Sequence, residues 1–229
     1  MKNLFTILLF SFSLNALVED DTSREENYYK YNYLGIDAIS TENTEIGVRM
    51  SLSLPGPLYL ILERKTEGVN EEINDYERII DGIRLGVHAG IGDIFSSMSA
   101  SGISLEIKNI FDVYTEFGIK NVEFDDKDNS FLEDEAQANL IAGIRFGNSN
   151  GWEGKFFVDY SKDFNVVQKE CPSEAVCPAV VEFELEEKSD QRLGAGILYN
   201  INKYSAVTLE ISSSKILDNN FKLGYQINF

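Results

Sequence analysis

The chain of 229 residues holds a single histidine, His88, as its one side chain suited to proton transfer near neutral pH. General acid–base or nucleophilic catalysis needs such a base beside a hydroxyl or thiol and an orienting acid. Serines are plentiful, but no flanking motif marks one as a nucleophile. His88 shares the polar side of the segment 83–91 with Arg84, which suits a histidine held in a polar network. The other candidates are isolated charges spread over separate segments: Arg49, Glu63, Arg84, Glu116, Arg145, Lys155, Asp159 and Glu210. Opposite charges scattered in this way suit structural ion pairs in a confined interior better than a catalytic set. No enzyme activity and no cofactor are expected.

Two further groups could carry chemistry. Cys171 and Cys177 lie in CPSEAVC, and five intervening residues in a polar loop suit one local disulfide wherever the compartment is oxidising. A metal site would need more ligands than this loop offers. The acidic stretch DDKDNSFLEDE alternates oxygen ligands at Asp126 and Asp128, which makes them weak surface candidates for a divalent cation. Phe131 stands where a calcium loop needs glycine, so a solvated acidic loop is the expectation and no metal site is assigned.

The elements that must position these residues read as strands. In 45–54, Ile46, Val48, Met50, Leu52 and Leu54 alternate with Gly47, Arg49, Ser51 and Ser53. The same period of two recurs in 83–91, 111–119, 138–146, 152–160, 193–199, 207–211 and 221–229, with weaker versions in 31–39 and 58–66. Side chains alternate across a strand, so each segment has one apolar and one polar or small face. Ten strands are expected; the stretches 92–110 and 165–190 leave eight or twelve open. We read 92–110 as an elongated hairpin turning near Lys108 and Asn109, not as an eleventh strand.

The ends of the chain narrow the class. Residues 1–16 place Lys2 before an apolar run from Leu4 to Leu14 and end on Ala16, the pattern of a secretory signal peptide. Residues 17–27 would form a short N-terminal segment and 28–229 the folded domain. No stretch after Ala16 is apolar and long enough for a spanning helix. The formal net charge of −18 argues against nucleic acid as a partner, because phosphate binding needs clustered Lys and Arg. In FKLGYQINF, the apolar face is Phe221, Leu223, Tyr225, Ile227 and Phe229, and the chain stops on that aromatic.

This terminal strand, with the signal peptide and repeated units such as IRLGVHAGIG and EAQANLIAGIRFGNSNGWEGKFFVDY, resembles the small outer-membrane β-barrels of Gram-negative bacteria, the OmpA/OmpX-like and porin-like grouping. The resemblance implies an all-β, closed, antiparallel up-and-down transmembrane barrel exported to the outer membrane. Its expected partners are outer-membrane lipid and lipopolysaccharide, periplasmic chaperones, and the barrel-assembly machinery, which would read the five apolar residues of the last strand. A monomer is expected. The isolated charges named above, with His88, would face the lumen.

Connection lengths fit that frame. Such barrels have short turns on the periplasmic side and longer loops outside. Pro55–Pro57, 148–151 and 202–203 are tight, whereas the acidic connections 67–77, 125–135 and 165–190 fall on the other side. Phe111, Phe146, Trp152, Tyr199, Tyr204 and Phe229 gather beside the tight turns, where aromatic rings favour the membrane–water boundary. Two functional readings follow: a structural or surface-interaction barrel presenting acidic loops, or a narrow porin with cation preference. An outer-membrane lipid hydrolase is the third and requires His88 to meet a serine and an acid.

Overall fold

A computed structural model describes residues 29–40, 44–68, 77–91, 111–125, 135–168, 183–215 and 219–229. Ten strands run in chain order: β1 (Tyr33–Ser40), β2 (Thr44–Ser53), β3 (Leu58–Gly68), β4 (Glu77–Gly90), β5 (Phe111–Asp125), β6 (Glu135–Gly147), β7 (Trp152–Gln168), β8 (Phe183–Asn202), β9 (Ser205–Ser213) and β10 (Asn220–Asn228). Each pairs antiparallel with its sequence neighbours, and β1 pairs with β10 from Tyr33↔Asn228 to Ser40↔Phe221. The sheet is a closed up-and-down barrel of ten strands, as the alternation predicts, with neither edge left unpaired. The Phe229 amide adds a further bond to the Asn32 carbonyl at 3.2 Å, carrying the seam past both strand ends.

The alternation resolves into an apolar outside and a polar inside. On β5, Phe111, Val113, Phe117 and Ile119 are exposed, while Asp112, Tyr114 and Glu116 are buried. On β10, Phe221, Leu223, Tyr225 and Ile227 face out, and Asn220, Gln226 and Asn228 face in. A water-soluble sheet would do the reverse, because its apolar face must leave water. This inversion is the arrangement that hydrocarbon solvates, and a closed sheet satisfies every wall amide without water. No helix among the described residues is long and apolar enough to cross a membrane.

The apolar belt has defined borders. Outward positions turn polar at Arg64, Asp81, Asn121, Lys162 and Gln191. Arg64 and Asp81 pair across β3 and β4 at 3.3 Å while remaining exposed. From Phe111 to Ile119 the belt on β5 spans about 20 Å once strand tilt is included. Its other border carries the aromatics: Trp152 and Tyr199 are cross-strand partners with ring centroids 4.5 Å apart, and Phe111 and Phe146 are partners at 6.4 Å.

At the aromatic border the connections are tight. The Leu54 amide bonds the Leu58 carbonyl at 2.8 Å, and the Asn148 amide bonds the Trp152 carbonyl at 2.8 Å. Gly147 ends β6 at φ 108°, a conformation that L side chains rarely adopt. The β4–β5 connection belongs to this end as well, but 92–110 lie outside the described residues, as do residues 1–28, the acidic stretch with Asp126 and Asp128, and the pair Cys171 and Cys177. At the opposite end the wall runs further than alternation predicts. β7 continues to Gln168 and β8 begins at Phe183, so both ends of the expected 165–190 loop, 165–168 and 183–190, are paired strand. Above the lipid belt neither face needs to be apolar, so the period-two signal disappears although the ladder continues.

Candidate functional site

The lumen is where this chain gathers its polar chemistry, and its most distinctive part is the segment that precedes β1. β6 lies across the barrel from β1 in the strand order. Residues 29–32 nevertheless reach it from the β1 end. The Tyr29 hydroxyl donates to the Gly147 carbonyl at 3.3 Å, and Arg145 Nη1 donates to the Lys30 carbonyl at 3.1 Å. Lys30 Nζ donates to Asn200 Oδ1 on β8 at 3.2 Å. The Tyr31 hydroxyl donates to Asp112 Oδ2 on β5 at 2.5 Å. Asn32 Oδ1 accepts from the Ser53 amide. The segment therefore crosses the tight-turn end of the barrel as a floor.

Rings and charges fill the rest of that end. Tyr31 stacks on His88 with centroids 4.0 Å apart and lies 4.4 Å from the ring of Tyr59. The Arg145 guanidinium sits 5.1 Å from the ring centre of Tyr29 and 4.9 Å from that of Tyr31, within cation–π range. Its Nη2 also donates to Glu153, whose other oxygen accepts from Asn200 at 2.9 Å. Burial pushes the Tyr31 phenol well above its ordinary range, which keeps it the donor to Asp112. His88 Nδ1 lies 3.4 Å from Asp112 Oδ1, a contact too long to count as a strong hydrogen bond.

Above the floor the charges expected in the lumen form cross-strand groups. Arg84 binds Glu63 at 2.7 Å through Nη2 and Glu116 at 2.9 Å through Nε, and Tyr59 donates to the second oxygen of Glu116 at 3.1 Å. Arg49 pairs with Asp37 at 3.1 Å. Glu210 takes Lys155 on one oxygen and Lys222 on the other, the latter at 3.3 Å. Asp159 accepts from Asn139. A buried ion costs several kcal/mol of lost hydration, so each must find partners within the lumen.

Glycine lets the interior pack this tightly. Gly86 is the direct partner of Tyr59, and a methyl group on it would fall 2.2 Å from the tyrosine ring. Gly143 stands in the same relation to Tyr114. Each ring lies flat against bare backbone on the next strand.

A cavity of about 140 Å³ remains above the floor, reaching up to Ser161, Arg192 and Ser212. That is room for roughly ten waters. Among the described residues its lining carries eight Lys or Arg side chains and five carboxylates. The whole chain has a net charge of −18, so its acidic excess is not the character of this surface.

The charges named from the sequence thus lie inside the wall, joined by Asp37, Lys65, Asp112, Lys120, Glu153, Asp190, Arg192 and Lys222, which the sequence reading did not single out. Tyr29, Tyr31 and Tyr59 were also missed. Their signal was parity: Tyr29, Tyr31 and Tyr33 continue the inward set of β1, and rings on that set cannot reach lipid. The hydroxyl that meets the His88–Asp112 pair is the Tyr31 phenol. The described residues contain no cluster of three or more His, Cys, Asp or Glu suited to a metal.

No protein-family model matches the sequence, and no curated protein does either. Solved structures similar to the chain are themselves outer-membrane barrels. A KdgM porin is 8% identical over 86% of this chain and 99% of its own, with a TM-score of 0.44. The same porin in complex with disordered oligogalacturonate gives 7% identity, 86% and 99% coverage and a TM-score of 0.42. The N-terminal barrel domain of Pseudomonas aeruginosa OprF is 11% identical over 87% of this chain and 99% of its own, with a TM-score of 0.34. In architecture the chain itself is a closed, antiparallel, up-and-down β-barrel of ten strands with an apolar outside and a polar inside.

Proposed function

We propose that the protein is an integral outer-membrane anchor that does not conduct in this form, with its tight turns in the periplasm and its long acidic connections at the cell surface. The observation that carries this reading is the floor: Tyr29, Lys30 and Tyr31 reach β5, β6 and β8 from the β1 side and fill the periplasmic mouth. The cross-strand charge groups above it tie the strands of a narrow barrel to one another. The work of such a barrel lies at its surface, through the acidic connections and contacts with lipopolysaccharide. The apolar face that ends on Phe229 would serve the assembly machinery.

A narrow porin is the second reading, supported by the solvent-sized cavity. Any cation preference would then have to come from the acidic connections, because the described lining is richer in base than in acid. Heat-modifiable migration of the outer-membrane fraction tests the location, and planar-bilayer recording of the purified barrel separates the two roles. Silence supports the anchor; stable unit steps would replace it with the pore.

A further inference from the structure

Above the lipid belt the wall parts. β6 begins at Glu135 and β7 runs to Gln168, yet their register ends at Asn139↔Ser161. β6 stays with β5 as far as Val122↔Glu135, and β7 stays with β8 as far as Gln168↔Phe183. β9 leaves β8 at Leu193↔Ser213. Among the described residues, 163–168 and 183–192 therefore form a two-stranded ribbon that no third strand flanks. It runs about 20 Å beyond the fork with β6. Hydrocarbon would forbid such a fork, because the parted amides would go unbonded. Lys162 and Gln191, at the outward polar border, place it in water.

The ladder fixes which main-chain groups line the fork. In an antiparallel pair, bonded and non-bonded partners alternate. The Asn200 amide bonds the Gly151 carbonyl, and the register then runs unbroken from Trp152↔Tyr199 to Gln168↔Phe183. Odd-numbered residues of β7 thus bond β8, and even-numbered ones point the other way. The bond from the Asn148 amide to the Trp152 carbonyl, on the β6 side, agrees. Phe164, Val166 and Gln168 accordingly present amides and carbonyls to the fork, and by the same alternation Ala136 faces them from β6. The two edges of the ribbon differ in sequence. On β7, FNVVQ over 164–168 has no charge and no proline and is rich in strand formers. On β8, FELEEKS over 183–189 carries Glu184, Glu186, Glu187 and Lys188, charges that discourage strand addition. β7 is the open edge.

We propose that the fork between β6 and β7 takes an extended basic segment of a partner protein, which adds a strand to the outer edge of β7. Main-chain bonds supply the affinity in this mode of recognition. Charge selects the partner. Residues 162–168 and 183–189 hold two lysines against four carboxylates, and Glu135 heads β6. A second copy of this chain, at a net charge of −18, and phosphate-bearing lipid would both be repelled. A third strand also supplies what an isolated ribbon lacks for stability in water. Placing this end at the cell surface rests on the anchor reading; strand addition itself does not. Unit conductance steps would remove the anchor and leave the fork, whereas loss of strand addition would remove the fork and leave the anchor.

The experiment is amide hydrogen exchange of the refolded full-length barrel in a zwitterionic detergent, read residue by residue by NMR. The probes are a short peptide of alternating Lys and Val and its Glu–Val counterpart. Without peptide, Phe164, Val166 and Gln168 should exchange at least about tenfold faster than Asn165 and Val167, which bond β8. The Lys–Val peptide should slow those three by about tenfold or more and bind at least about tenfold more tightly than the Glu–Val peptide. Val166→Pro removes an outward amide and no β7–β8 bond. Asn165 and Val167 should therefore stay protected while binding falls by about tenfold. Glu184→Gln/Glu187→Gln, which leaves the backbone alone, should shrink the preference for the Lys–Val peptide. Slow exchange at all five amides before peptide is added would overturn the proposal, because the edge would already be filled. Absence of protection at about 1 mM peptide, equal binding of the two peptides, or undiminished binding in Val166→Pro would overturn it as well.

Discussion

The two halves of the lumen are built on different principles. The lower half is a solid: four residues from outside the barrel wall, a stacked Tyr31–His88 pair, and Arg145 between two tyrosine rings and Glu153. The upper half is a cavity whose lining, among the described residues, carries eight Lys or Arg side chains and five carboxylates. The wall itself is the same in both, with apolar side chains out and polar side chains in. Pore, plug and pocket are therefore decided by what the inward positions carry and by what the preceding segment inserts, not by the strand ladder.

This contrast can be broken by mutation, and the largest effect is expected in the floor. Glu153→Ala removes the carboxylate that holds Arg145 and leaves a buried guanidinium short of its partner. It should cost about 3–5 kcal/mol, seen as a lower urea midpoint of the refolded barrel. Tyr31→Ala deletes the ring at the centre of the stack and should cost about 3 kcal/mol in the same assay. Gly86→Ala at the level between the halves drives a methyl group into the Tyr59 ring and should cost about 1–3 kcal/mol. Gly151→Ala, where an added Cβ meets nothing, is its unaffected control. In the upper half, Lys65→Gln keeps a polar side chain that can still hydrogen-bond and gives up a long 3.9 Å contact with Glu63, so it should cost less than Glu153→Ala in the same assay. If Lys65→Gln costs as much as Glu153→Ala, the halves do not differ in the way described.

The barrel was legible in the sequence because lipid enforces a strict period of two. Ile46, Val48 and Met50, or Leu193 and Ile197, had to face one way. Where lipid ends, so did the signal: FELEEKSD at the start of β8 is paired strand, but its sequence lacks the alternation and reads as loop. The inward charges could be named for the same reason of parity, but their partners could not. Whether Arg84 meets Glu63, Glu116 or both depends on the stagger between β3, β4 and β5, which alternation within each strand does not encode. The floor was least legible, because Tyr29 and Tyr31 act at β5 and β6, across the barrel from the strand they precede. Lumenal Lys65 and Lys222 were hidden by an acidic whole-chain balance that belongs to other surfaces.

The closed floor is the central claim, and paired planar-bilayer recordings of the wild-type barrel and of Tyr29→Ala/Tyr31→Ala test it most directly. The wild type is predicted to insert without unit conductance steps and the double variant to show them. Equal, stable steps from both proteins would contradict the account, because residues 29–32 would then not close the barrel.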